Sequence, residues 1–225
     1  MEFVRQILNP LLPPRDRDLI QIVDAALADS VQRSGAWLAC RPGCTQCCHG
    51  PFPISQLDVA RLQAGVAELE RSDAARAASV RARAREAVVR LTPAFPGDPK
   101  TGILDEDDAA QLAFDEFADD EPCPALDPAT GTCDLYAHRP MTCREFGPPV
   151  RIEDGGQAGL SVCELCFHGA TPEQIAACEM IADPDDLEPK LIEELEAQGH
   201  TGQTIVAFAL AKQNARTRKS GHRFP

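Results

Sequence analysis

Four cysteines fall within nine residues, Cys40-Arg-Pro-Gly-Cys44-Thr-Gln-Cys47-Cys48. No other feature constrains the chain as tightly, because thiolates packed this closely serve a metal far better than they serve a hydrophobic core. The remaining six cysteines are also ordered. Cys123, Cys133 and Cys143 recur at even ten-residue steps, Cys163 and Cys166 form a second C-x-x-C, and Cys178 follows alone.

How ten cysteines are read depends on compartment. In a secreted chain an even count suggests disulfides, whereas in a reducing cytosol it suggests metal or redox chemistry. The N-terminal Met1-Glu2-Phe3-Val4-Arg5 carries an early acid and is followed by no long apolar run or small-residue cleavage site. No stretch approaches the roughly 20 apolar residues needed to cross a bilayer. The expectation is a cytoplasmic chain without membrane partners, with metal favoured over a disulfide scaffold.

Charge narrows the partners. The formal net charge is −13. Asp105 to Glu121 holds nine acids and no base. Phosphate needs a basic footprint, so nucleic acid is not an expected partner. The arginine run Arg71, Arg76, Arg81, Arg83, Arg85 and Arg90 is interleaved with alanine and valine rather than aromatics, and reads as a solvated helical face. The basic tail (Lys212, Arg216, Arg218, Lys219, Arg223) reads as helix C-terminal charge and a frayed end.

Alanine and leucine dominate the apolar residues and favour helix. Leu19, Ile22, Val23, Ala26, Leu27 and Val31 are spaced as one face of a helix over 15–34, after Pro13-Pro14 and before Gly35. Residues 54–91 read as helical again, opened by Ser55 with Asp58 three residues on. Gly65 and Ser72-Asp73 are places where it could break in two. The acidic stretch reads as a short helix packing Leu112, Phe114 and Phe117 inward, with a partly disordered acidic loop as the alternative. Between Cys123 and Val162, repeated Pro and Gly exclude long regular elements. Thr171-Pro172-Glu173-Gln174 is a helix start. Leu187, Leu191, Ile192 and Leu195 mark another helix, and Gln203 to about Arg218 the last. The fold class expected is mainly α. It is one domain over 1–225, with helices wrapped around a cysteine-rich, loop-dominated centre at 40–146 and at most short β-strands. Residues 54–91 form a helical insertion, and helices within 171–218 pack on the core.

Thiolates suit zinc or iron–sulfur rather than calcium or magnesium. A C-x-x-C places two sulfurs on one side of a tight turn, where one metal centre can take both, and Cys44/Cys47 and Cys163/Cys166 each meet this condition. Adjacent Cys47 and Cys48 should point apart and reach one tetrahedral zinc only with strain. A cluster with several iron corners accepts both more easily, which favours an iron–sulfur cluster with zinc as the alternative. Cys48 as a buried hydrophobe or as part of a second site stays open.

The pattern Cys40-x3-Cys44-x2-Cys47-Cys48, then Cys123-Pro-x-Leu126, then Gly131-x-Cys133-x-Leu-Tyr136-x-x-Arg139-Pro140-x-x-Cys143-Arg144-x-Phe146, resembles the CxxCxxCC family. These are the YkgJ-type cysteine cluster proteins, to which zinc or iron chelation is ascribed. The resemblance implies that Cys40, Cys44, Cys47, Cys48, Cys123, Cys133 and Cys143 lie at or beside a metal site shared by both segments. Flagellin lysine methylases look like distant relatives, so methyl transfer enters by analogy alone. Cys163 and Cys166 lie beyond the clearest part of the motif and are carried as candidate ligands. Cys178 reads as a buried apolar thiol.

Arg139 and Arg144 would surround the ligands, offsetting thiolate charge and donating to sulfur or carbonyls, with an anionic substrate as the other reading. Tyr136 joins them and reads as a core ring. His49, His138 and His168 lie near cysteines and read as bystanders, and Trp37 as a shield against solvent. No hydrolase elbow, phosphate loop, dinucleotide fingerprint or H-E-x-x-H is present. The sequence leaves open whether the protein is an enzyme and whether its partner is a protein or a small molecule. Its functional classes are a metal-cluster protein, a redox or group-transfer enzyme, a zinc-stapled interaction module and a disulfide scaffold.

Overall fold

The computed structural model describes residues 11–154 and 157–212. Eight helices are present among them: α1 Asp16–Ser34, α2 Gln56–Ser72, α3 Ala74–Leu91, α4 Asp108–Asp115, α5 Met141–Glu145, α6 Pro172–Ala176, α7 Leu187–Glu196 and α8 Val206–Ala211. The strands make three separate antiparallel pairs: β1 Gly97–Asp98 with β2 Ile103–Leu104, β3 Leu126–Asp127 with β4 Thr132–Cys133, and β5 Val150–Asp154 with β6 Gln157–Ser161. The fold is mainly α with short two-stranded sheets. No helix among the described residues is long and apolar enough to cross a membrane.

Local chemistry accounts for the boundaries. Ser55 accepts from the Asp58 amide to open α2, and Asp73 accepts from the Arg76 amide to open α3, so the long helical segment breaks at Asp73. It runs unbroken through Gly65 because that glycine makes room: a Cβ there would lie 2.7 Å from Cβ of His138. Asp107 caps α4, and Thr171 and Gln174 form a reciprocal capping box on α6. The last helix is shorter than its apolar pattern suggests. Thr204 and Ile54 exchange backbone hydrogen bonds, and Leu104 N donates to Gln203 O, so the chain stays extended until Ile205. The expected continuation to Arg218, the basic tail beyond Lys212 and the N-terminal Met1–Arg5 segment lie outside the described residues.

The apolar interior is divided. Leu62, Val66, Val80, Ala84, Ala209 and Leu210 pack α2, α3 and α8 together, and Cys123 and Cys133 lean on this cluster. Leu19, Val23, Met141, Leu187 and Leu191 join α1, α5 and α7. Phe95, Phe117 and Phe208 form an aromatic cluster under the acidic segment, with Phe95 and Phe208 centroids 4.5 Å apart. Leu112 does not join it and is exposed, whereas Phe114 stacks beside Phe117 at 5.8 Å. A fourth small cluster consists of Cys163, Cys166, Phe167 and Cys178 with Leu38, Ala39 and Ile175 against it.

One buried charge knot holds the α1–α2–α7 corner. Arg61 is 2 % exposed. It donates to Asp16 at 2.8 Å, Asp58 at 2.8 Å and Glu188 at 3.3 Å. Asp58 also accepts from the Met141 amide at 3.0 Å, tying the corner to the start of α5.

Candidate metal centre

The backbone brings distant cysteine segments together. Cys123 N donates to Cys48 O at 2.8 Å and Gly50 N to Glu121 O at 3.0 Å, so residues 48–50 run beside 121–123. Leu126 N then folds back on Cys123 O, and Cys133 stands opposite Leu126 across the β3–β4 pair. Cys143 lies on α5, and one open cleft touches both it and Cys47.

Cys47, Cys48, Cys123, Cys133 and Cys143 form one electrostatic neighbourhood. The Cys48 thiol donates to Cys47 and pulls Cys47 down to about 6 against the opposing effect of burial, helped by a backbone amide and Arg139. The same hydrogen bond, followed by burial and the neighbouring thiols, pushes Cys48 up. Burial, then Cys133 and Cys47, raises Cys123 to about 12. Burial raises Cys143 too, with Cys123, Cys47 and Cys133 adding to it, and it also raises Cys133. Several half-buried thiolates near one another repel, and a bound cation would reverse that balance. The donor set therefore fits a soft or borderline metal. Adjacent Cys47 and Cys48 do not diverge as expected. They sit in the tight 3₁₀ turn Gln46–Cys48, which brings both thiols into the same group.

Cys40, Cys44, Cys163 and Cys166 form a second group. Cys166 N closes the C-x-x-C turn on Cys163 O at 2.8 Å, and Ala39 N donates to Cys166 Sγ at 3.3 Å. Cys40 is exposed at the surface, but partial desolvation by its neighbours pushes its thiol up to about 12, with Cys166, Cys163 and Cys44 reinforcing it. Cys163 is raised by burial and then by Cys166 and Cys44. Cys47 is hydrogen-bonded to Cys48, and Cys166 to Cys40 and Cys163, and among the described residues no group of three or more His, Cys, Asp or Glu side chains is arranged to hold a metal ion.

The flanking residues take specific places. Arg139 donates to Tyr136 O at 2.9 Å and Cys143 O at 3.4 Å, with its guanidinium 4.1 Å from the Tyr136 ring centroid. Tyr136 is 63 % exposed and covers Arg139 from outside, in contrast to the core ring expected. Arg144 is 2 % exposed and donates to Asp24 and to Ala137 O, each at 2.5 Å, pinning α5 to α1. His49 Nδ1 lies 3.0 Å from Thr45 O, His138 Nε2 lies 3.1 Å from Glu68, and His168 is exposed. Trp37 is partly exposed, and its carbonyl accepts from Phe167 N beside the second C-x-x-C. Cys178 is buried among apolar neighbours, with its carbonyl accepting from Ser30.

The α3 arginines are more than a solvated face. Arg76 and Arg83 both donate to Asp134, whose side chain is 1 % exposed, and Arg83 also reaches Pro124 O at 2.8 Å. Arg90 grips Glu121 through two bonds, at 2.6 and 3.2 Å. Arg76, Arg83 and Arg90 stand seven residues apart on one helix face and clamp the loop carrying Cys123 and Cys133. Their spacing was the available signal. It acquires meaning only with acids at Glu121 and Asp134 beside cysteines.

Helices around clustered thiols, with most of the sulfurs on loops and short turns and Cys143 on α5, define a cysteine-cluster metal-binding protein. A family model described as CxxCxxCC, a putative zinc- or iron-chelating domain, matches residues 39–166, more than half of the chain, and the chain belongs to that family. Neither the curated proteins nor the solved structures give a match.

Proposed function

We propose that Cys47, Cys48, Cys123, Cys133 and Cys143 hold an iron–sulfur cluster, and that the protein serves redox or cluster-assisted group-transfer chemistry. What supports this reading is that five thiols from separate segments act electrostatically on one another, with Cys47 and Cys143 lining the same cleft. A mononuclear zinc site takes four ligands, so five thiols favour a multinuclear centre with several corners. Such a cluster supplies one-electron chemistry or an open metal corner. Arg139 supplies positive charge beside the sulfurs and fixes the Cys143 carbonyl. The cleft lined by Cys47, His49, Phe52, Thr142, Cys143 and Phe146 gives a small molecule or a partner's donor group a route to them.

Anaerobic purification with iron, zinc and sulfide analysis and an optical spectrum tests this. A brown protein containing acid-labile sulfide, with both lost in Cys133→Ser/Cys143→Ser, is expected. Colourless protein with zinc bound at these five thiols overturns the reading in favour of a zinc-stapled module.

A further inference from the structure

We infer that Glu188 is a pH-operated latch: while it holds a proton the start of α7 stays seated on α1 and α2, and when it ionises that end of the helix loosens. The inference goes beyond the proposed metal chemistry and does not depend on it.

Charge in this buried corner does not balance. Asp16 of α1, Asp58 of α2 and Glu188 of α7 all accept from the guanidinium of Arg61, at 2.8, 2.8 and 3.3 Å. None of the four side chains is more than 20 % exposed. With all three acids ionised, two negative charges would stand uncompensated and largely out of water, which is costly. Two more acids face Glu188. Glu145 of α5 acts on it electrostatically, and Asp183 of the preceding loop accepts from its amide at 2.7 Å. The other Asp183 oxygen is buried and has no partner among the described residues. Neighbouring cations do not help, since Arg144 of α5 donates to Asp24 and Lys190 of α7 to Asp185 O.

A proton is the balancing charge this geometry calls for, and Glu188 is its seat. Its bond to Arg61 is the longest of the three and its side chain the most exposed, so solvent protons reach it. Asp16 and Asp58 are bonded more closely, and Asp58 also holds the Met141 amide at 3.0 Å. Burial, opposed by Arg61 and reinforced by Asp58 and Glu145, accordingly lifts Glu188 to about 7.

The element this proton biases is the first turn of α7. Asp186 at its N-cap takes φ +50°, a left-handed conformation that favours glycine, and its side chain makes no capping bond. The turn is held instead by Asp183 and by the contact of Glu188 with Arg61. A negative charge on Glu188 repels Asp58 and Glu145 across this seat, while Leu191 and Leu195 stay buried farther along, so the opening is local. Leu187 shares its apolar cluster with Met141, the first residue of the helix that carries Cys143.

Amide exchange of the full chain at pH 5 and pH 8, corrected for the intrinsic rate, tests the latch. Exchange over residues 183–191 should rise about tenfold relative to α3, one unit of linked pKa shift being tenfold. Glu188→Gln, close in size and unable to ionise, should remove the rise. Carboxyl carbon NMR of the wild-type protein supplies a readout that needs no variant: Glu188 should titrate above about 5.5, well over the ordinary value of about 4.3. Titration below that mark, a rise of less than about threefold, an equal rise in α3, or a rise that persists in Glu188→Gln would each overturn the inference.

Discussion

Replacing Asp134 by Ala isolates the contribution of the helix-to-loop clamp. Its carboxylate is nearly inaccessible and accepts from Arg76 and Arg83, which are 46 % and 25 % exposed. Removing one partner of a fully buried pair costs about 3–5 kcal/mol, whereas an exposed pair is worth about 0–1 kcal/mol. With the carboxylate buried and the guanidinium groups half in water, about 2 kcal/mol is the appropriate figure. The loss should be local, because the acid follows Cys133 and the same Arg83 holds Pro124 beside Cys123. Amide exchange over residues 121–135 is therefore the assay. About 2 kcal/mol corresponds to roughly 30-fold faster exchange there, with α1 and α7 unaffected. A double-mutant cycle with Arg83→Ala should return coupling of about 1–2 kcal/mol. Exchange unchanged within twofold in Asp134→Ala, or accelerated equally in α7, refutes the clamp.

Gly147→Ala should lower stability by about 1 kcal/mol or more in denaturant titration, because the new methyl group meets Cys40 Sγ and the backbone favours glycine. Cys178→Ala should leave metal content unaltered and lower stability by about 1 kcal/mol in denaturant titration, as expected for a buried thiol acting as a small hydrophobe. Burial lifts Glu188 from 4.5 to about 7 despite Arg61. The folded state then keeps a proton that the unfolded state releases, so stability should fall as pH rises from about 4.5 through 7. Glu188→Gln should flatten this part of the pH profile of urea unfolding; an unchanged slope counts against the assignment.

The helices were legible where one face carried enough apolar residues. Leu19 and Val23 on α1 and Leu187, Leu191 and Leu195 on α7 are buried at the spacing their sequence shows. The end of α8 was not legible, because residues 203–205 are recruited by Leu104 and Ile54, contacts that no local pattern encodes. The gathering of cysteines was visible in their number, but their partition was not. A C-x-x-C fixes how far apart two thiols are along the chain, not which way each turns. Here Gly43 takes a positive φ before Cys44, and Cys47 sits in the 3₁₀ turn Gln46–Cys48, turns that the spacing alone does not specify. Tyr136 is outside the core because Arg139 occupies one face of its ring and the rest is left to water, a partnership the sequence does not encode. Arg61 gave no signal at all, since its three acids come from α1, α2 and α7.

Four modest apolar clusters in place of one continuous interior have a bearing on how the molecule comes apart. Each can open with its own free energy, and the cysteine-lined cluster has the least hydrocarbon to resist opening. Mild denaturant should therefore release the 163–170 region first and leave the α2–α3–α8 bundle closed. Heating should give a staged transition, to which a single two-state midpoint does not apply.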